Sequence, residues 1–440
     1  MPFGWKDMSK ENFASIMERL SKQEGIIRLF VIVGLFNFGM NFLITADYVQ
    51  FRAIMEFAGI TSSIKESVLL AGALVALGIG TIGGGILSDS LKHKFTREQM
   101  LLLGTIVSCV FIFSLPLATS VVKEQQLRFS LIMLLLVLGH FFIGCAYAPW
   151  LAFFPELFNR NEKVAAAICV NFIGAFGAAI ATVSFSRLID KKIPWIIWLI
   201  IGSALLSTAL LTAISQPIRK KMDKEQLETR IEVERENNGE IFAKSSWLLL
   251  FLVGSLWAFS SHLVETGLID SLTKRFSVSN TMAAVSSNIL MGGFVVFLLI
   301  PTFLLTTKLE KISGSILTSG IYALFCLLLT VMKTFNWIYF IVFLGAFGNI
   351  LLSIFQFTLP AESVPQGKEA TYLGLFFAFA SMAKPVATII QGIILEGKES
   401  NETIKQLGGY PWVFLLAAAI MLITIIPLVL VKTKKRKKEC

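Results

Sequence analysis

Five titratable side chains stand inside long apolar runs, where an aqueous protein would not place them: Asp47, His140, His262, Glu265 and Lys384. A charge in hydrocarbon costs several kcal/mol unless it is paired or hydrated, so each is a functional candidate. His140, in VLGHFFIGCAYAP, has a side chain suited to proton exchange near neutral pH; the alternative is a fixed hydrogen-bonding link between helices. Lys384 has two functional readings: counter-charge for an anionic solute, or partner of a carboxylate displaced by a cation. Its structural alternatives are a permanent ion pair or an ammonium snorkelling to the surface. His262 and Glu265 are three residues apart and share a helix face, which makes them a candidate proton-binding pair. Glu265 and Asp47 also fit solvated positions near the ends of their runs.

Uncharged polar residues add a second set. Asn37, Asn41 and Thr45 form a stripe one helical turn apart, and Trp257, Ser261 and His262 occupy the matching region of a later run. Amides, hydroxyls and an indole can bind a small polar solute, or they can join helices in lipid. Asn171 and Gln356 are secondary solute-binding candidates, whereas Gly174 and Gly177 read as packing positions. No CxxC pair accompanies the five cysteines (Cys109, Cys145, Cys169, Cys326, Cys440), and no histidine stands at metal spacing from them. No metal or cofactor is expected. The chain also lacks a GxxxxGK[ST] loop, so ATP would have to be hydrolysed by another chain. Scattered polar residues do not supply the convergent cluster that an enzyme needs, and no catalytic residue is assigned.

The elements that must position these residues follow from composition. Of 440 residues 55% are hydrophobic and 15% charged, with a mean hydropathy of +0.73. Soluble domains carry about 25% charged residues, so disordered, collagen-like and disulfide-stapled classes are excluded and an all-α polytopic membrane protein is expected. Twelve segments are long and apolar enough to span a bilayer: 27–48, 67–88, 99–119, 129–149, 164–186, 195–214, 245–266, 282–305, 315–333, 336–358, 371–395 and 410–431. The first residues, MPFGWKDMSKENF, lack the apolar core of a cleavable signal. Phe13, Ile16, Met17 and Leu20 follow helical spacing and suggest an amphipathic leader at the membrane surface.

Three regions result: a first half with leader and six spans over 1–215, a charged connector over 216–243, and a second half with six spans and a basic tail over 244–440. The net charge of +10 sits in loops and tails rather than on a nucleic-acid face. The terminal segments and even-numbered loops hold about 26 basic residues against about 12 in the odd-numbered loops, so both termini are expected in the cytoplasm.

The two halves repeat one another. PELFNRNEK at 155–163 and PAESVPQGKE at 360–369 each follow the fourth span of their half, and Gly34 and Gly254 occupy equivalent places in the first and seventh. Two six-span halves in the same orientation, joined by a long connector, resemble the major facilitator superfamily. GGGILSDSLKHK at 83–94 is similar to that superfamily's loop signature, with Gly85, Asp89 and Lys94 as conformational-switch residues; Ser90 and Lys92 depart from the pattern. APWLAFFPELFNRNEK and LGLFFAFASMAK are similar to stretches of the glycoside–pentoside–hexuronide cation symporters and sucrose carriers, although the acidic residues expected in the second span and the arginine expected in the fifth are absent.

The resemblance implies a monomeric secondary active transporter for a small polar solute, a sugar or an organic anion. The solute would meet Asn37, Asn41, His140, Asn171, Trp257, Ser261, Gln356 and Lys384, and a gradient of H+ or Na+ would act through Asp47, His140, His262 and Glu265. Export of a metabolite or drug, and a non-transporting sensor or scaffold, remain the alternatives.

Overall fold

The computed structural model describes residues 24–60, 63–158, 160–214, 244–278, 282–283, 285–361, 364, 368–396 and 409–439. The leader and connector expected from sequence lie outside them. The first set of helices comprises α1 (Glu24–Thr45), α2 (Ser63–Leu91), α3 (Arg97–Val121), α4 (Gln125–Leu157), α5 (Arg160–Asp190) and α6 (Trp195–Ala213). The second set comprises α7 (Lys244–Phe276), α8 (Leu290–Lys308), α9 (Lys311–Val331), α10 (Ile338–Ala361), α11 (Glu369–Glu396) and α12 (Tyr410–Ile423), with Ile425–Glu439 continuing α12. Helices are the only regular structure among the described residues, as a bilayer requires when each backbone group must be satisfied within its own segment.

Eleven of the described helices have the length and hydropathy to cross a membrane. The expected eighth span is α8, which becomes a regular α-helix only at Leu290, after a π-helical turn over Val285–Ile289. A second π-helical turn, Ala46–Gln50, extends α1 into the short helix Phe51–Phe57, past the end expected near residue 48. Pro149 and Pro155 lie inside α4 without ending it, because packed neighbours in a membrane bundle can satisfy the freed carbonyls.

Packing repeats with a shift of six helices. In the first set α1 packs on α5 and α6, α2 on α4, α3 on α4 and α6; in the second, α7 packs on α11 and α12, α8 on α10, α9 on α10 and α12. Gly34 and Gly254 mark equivalent crossings: a Cβ on Gly34 would strike Ile173 of α5, and one on Gly254 would meet Phe376 of α11 at 2.8 Å. Small residues allow such close approach where lipid offers no hydrophobic drive for association.

The two sets meet through α2 against α11 and α5 against α8, with α4 also touching α11 and α5 touching α10. Much of this contact lies at the end of the bundle that carries the α2–α3 turn. There Trp150 and Phe154 of α4 pack on Phe357 of α10, with ring centroids 6.0 and 5.0 Å apart, and Tyr147 packs on Phe377 of α11 at 5.8 Å. The apolar core of the first set accordingly extends into Phe357, Leu373, Phe376 and Phe377 of the second.

Candidate functional site

Asp47 and Tyr48 are consecutive residues of the π-helical turn at the end of α1 and face different neighbours. Such single-turn widenings recur at functional sites because they rotate the residues that follow. Asp47 turns toward α4, where its Oδ2 lies 2.9 Å from Nε2 of His140; the two side chains are 5% and 1% exposed. Nδ1 of His140 lies 2.8 Å from the Leu136 carbonyl, which can only accept, so Nδ1 carries a hydrogen. The remaining hydrogen bond therefore needs one proton between Nε2 and the carboxylate. Without it, a ring lone pair would face an anion. The second oxygen of Asp47, Oδ1, is buried without a hydrogen-bond partner.

Tyr48 turns toward the second helix set. Its hydroxyl accepts from Nζ of Lys384 on α11 at 2.9 Å, and the ammonium also lies 4.6 Å from the ring centre. The same ring meets His262 of α7 edge-on, with centroids 4.9 Å apart. His262 in turn lies 2.8 Å from the hydroxyl of Thr388, one turn beyond Lys384. At 1.5 Å per residue Lys384 lies about 22 Å along α11 from Glu369, in the interior of the candidate membrane span Glu369–Leu395. Glu265, one turn beyond His262, is solvent-accessible and within electrostatic reach of both Lys384 and Tyr48. His262 and Glu265 share a helix face, yet the imidazole bonds Thr388 rather than Glu265. Asp47, His140, His262, Glu265 and Lys384 thus belong to one region bridging α1 and α4 with α7 and α11.

The uncharged candidates are largely committed to the bundle. Asn37 Nδ2 donates to the Val170 carbonyl at 3.0 Å, Asn41 Nδ2 to the Asn37 carbonyl at 2.8 Å, and Asn171 Nδ2 to the Ala167 carbonyl at 2.8 Å. Gly174 makes room for the two α1 amides, since a Cβ there would strike Asn37 and come within 2.7 Å of Asn41. The Trp257 indole, fully buried, donates to Ser319 of α9 at 2.9 Å, and Ser261 donates to its own helix at the Ala258 carbonyl, 3.3 Å away. Gln356 is half-buried on α10.

A second polar cluster closes the α2–α3 end. Asp89, the last acidic residue of α2, accepts from the first amides of α11, Thr371 N at 2.7 Å and Ala370 N at 3.3 Å, and from the Thr371 hydroxyl at 2.6 Å. A helix N-terminus is a natural seat for a carboxylate. Gly85, one turn earlier, lets the two helices touch, because a Cβ would come within 2.6 Å of the Ala370 carbonyl. Lys94 points into solvent from the turn; the buried cation is Arg97, at the start of α3. Its guanidinium meets Asp89 at 2.8 Å, Glu156 of α4 at 2.7 Å, Glu369 of α11 at 3.8 Å and Ser88 Oγ at 2.6 Å.

Sequence reading missed Tyr48, Thr388 and Arg97. Tyr48 and Thr388 carry no charge and gain meaning only when α1, α7 and α11 converge. Arg97 had a signal, a basic residue following the Gly85–Asp89 stretch at a helix start, but it stood outside the segment compared.

Among the described residues no group of three or more histidine, cysteine or acidic side chains is arranged to hold a metal ion. The profile of the Major Facilitator Superfamily matches residues 29–388. No curated protein sequence matches the chain. Solved structures do: the human organic anion transporter MFSD10 (TETRAN), at TM-score 0.61 and 12% identity, over 92% of this chain and 98% of that one. FucP, a transporter in the outward conformation, matches at TM-score 0.62 and 12% identity, over 91% and 97% of the two chains. A bacterial homologue of the iron transporter ferroportin in an outward-facing state matches at 0.63 and 16%, over 93% and 99%. At these identities the likeness carries the fold, a multi-pass membrane transporter fold built for alternating access. The helix pairing repeated six elements apart, the crossing of α2 with α11 and the profile match agree: this chain belongs to the Major Facilitator Superfamily.

Proposed function

We propose that the chain is a proton-coupled secondary transporter of a small polar solute, with the solute held between α1 and the α7–α11 pair beside Tyr48, His262 and Lys384. The observation that carries this reading is the Asp47–His140 pair. Its hydrogen bond needs one proton, it is buried, and its carboxylate belongs to the residue next to Tyr48, the contact across the two helix sets. A proton gained or lost at Asp47 changes charge one residue from the solute contact, and that is the coupling a gradient-driven carrier requires. A sodium ion would need several oxygen ligands, and the histidine on Asp47 favours a proton instead. The organic anion transporter among the structural neighbours fits a small polar solute.

In this reading residues 1–215 and 244–440 act as two halves that rock about the site, and 216–243 is the cytoplasmic connector. Both termini face the cytoplasm, following the excess of basic residues on that side. The closed α2–α3 end is then the cytoplasmic end, with Gly85, Asp89 and Arg97 in its closure. The carrier works as a monomer, and the direction of net transport follows the sign of the gradient and the solute's own concentrations.

The test is uptake by proteoliposomes with an imposed proton gradient, over neutral sugars, sugar acids and other small anions, for wild type and Lys384→Ala. Gradient-dependent accumulation of at least one solute is expected. Lys384→Ala is expected to lower uptake of that solute at least about tenfold, as loss of a hydrogen bond from a charged donor in the site implies. No gradient-dependent movement of any solute in either direction would favour a sensor or scaffold.

A further inference from the structure

The hydrogen-bond roles around His262 can be assigned one by one. The Thr388 hydroxyl donates its single hydrogen to the Lys384 carbonyl, 3.1 Å away on its own helix. With its hydrogen on that carbonyl, the Thr388 hydroxyl accepts from Nε2–H of His262 across the 2.8 Å contact. In the neutral ring Nδ1 is then a bare lone pair, and Nδ1 is buried with no hydrogen-bond partner. An acceptor left unmade in a buried site is costly, and a group that costs stability without a partner is commonly one that a ligand completes.

Lys384 presents the complementary problem. Its ammonium has three hydrogens, and its neighbour is a neutral phenol rather than a carboxylate. Among the described residues, the acidic groups that face it, Asp47 and Glu265, act on it only through space, and Asp47 is engaged by His140. An intramembrane ammonium held by a phenol lacks the charge compensation that a buried ion normally has. Both side chains flank one ring: the Tyr48 ring centre is 4.6 Å from Nζ of Lys384 and 4.9 Å from the centre of the His262 ring. A ligand in the place of the half-buried Tyr48 ring would lie against both side chains.

We infer that this place is the subsite for a small hydroxycarboxylate, whose carboxylate binds Lys384 and whose hydroxyl donates to Nδ1 of His262, with Tyr48 moving aside. The inference rests on the transporter reading and narrows its solute. A neutral sugar would leave Lys384 uncompensated. A simple carboxylate would leave Nδ1 bare. An amino acid would bring a second cation beside Lys384, where a hydroxyl brings none.

The experiment measures ligand-induced thermal stabilisation of the purified full chain against 2-hydroxypropanoate, propanoate, alanine, gluconate and glucose. It uses wild type, Lys384→Ala and His262→Gln. Glutamine keeps a side-chain N–H for Thr388 and exchanges the ring nitrogen for an amide oxygen that the flexible side chain does not fix at the place of Nδ1. Expected for wild type is tighter binding of 2-hydroxypropanoate than propanoate by about tenfold, and of gluconate than glucose by more. Lys384→Ala should weaken both hydroxy acids about 10- to 100-fold. In His262→Gln the preference for 2-hydroxypropanoate over propanoate, both measured in that variant, should fall from about tenfold to about twofold or less, which a purely structural role for the ring would not do. Should His262→Gln fail to fold, the wild-type comparison decides alone. Equal binding of the two three-carbon acids, preference for alanine or glucose, or no binding of any carboxylate would each overturn the assignment. Gradient-driven movement of a neutral solute in vesicles would in that case leave the transporter reading standing.

Discussion

Asp47→Asn is expected to abolish accumulation while sparing exchange. One pH unit is worth 1.36 kcal/mol per proton, so a carrier that moves one proton per solute sustains about a tenfold concentration ratio across that gradient. With asparagine the ratio should fall to about one. The protein should still fold, because the amide can keep a hydrogen bond to Nε2 of His140 in place of the 2.9 Å contact. Solute counterflow, which needs no net proton movement, should stay within about threefold of wild type if the solute subsite at Tyr48 and Lys384 is undisturbed. Uptake under a proton gradient and counterflow in the same vesicles measure the two properties separately. His140→Leu makes a contrast. It leaves the Asp47 carboxylate buried with no partner, at a cost of about 3–5 kcal/mol, so a lower melting temperature should accompany the loss of coupling.

Arg97→Ala is expected to open the α2–α3 end. The guanidinium stands among Asp89, Glu156 and Glu369 at 2.8, 2.7 and 3.8 Å, and its removal leaves three carboxylates facing one another in a poorly hydrated cluster. Breaking a buried ion pair from one side costs about 3–5 kcal/mol. Asp89 and Glu369 belong to opposite helix sets, so separating α2 from α11 relieves the repulsion, and each 1.4 kcal/mol shifts the closed–open balance tenfold. Spin labels at His93→Cys and Lys368→Cys, both exposed at this end, should report one short distance in the parent chain and an added longer population in Arg97→Ala. Lys in place of Arg should restore closure only in part, because a point charge cannot address several carboxylates with the geometry of a planar fork. An unchanged distance distribution would mean that the aromatic contacts of Trp150, Phe154, Phe357 and Phe377 hold this end closed without the ion cluster.

The fold was legible because hydropathy and the six-helix repeat are properties of whole segments. Ends and widened turns were not legible. The first span was expected to stop at residue 48, yet Ala46–Gln50 forms a π-helical turn on the way to Phe57, and this turn changes the facing of the residues from Asp47 onward relative to the rest of α1. A period of 3.6 residues cannot show that change. Intramembrane charge singled out Asp47, His140 and Lys384 as separate candidates. Their partners lie 93 and 336 residues away in sequence, His140 to Asp47 and Lys384 to Tyr48, and no local pattern carries such pairings. Spacing alone sets His262 beside Glu265 on one helix face and gives no hint of Thr388, 126 residues later, which the imidazole bonds. At the closed end the motif drew attention to Lys94, a residue that faces solvent, while Arg97, three positions later, is the buried cation.

The central claim is that a proton travels with the solute by way of the Asp47–His140 pair. It is tested most directly by proteoliposomes with equal pH on both sides, a solute gradient and a pH-reporting dye in the lumen. The account predicts that downhill solute flow moves the lumen pH, with a fixed ratio near one proton per solute in wild type, and that Asp47→Asn carries solute without moving the pH. Solute flow that leaves the lumen pH unchanged in wild type would contradict it.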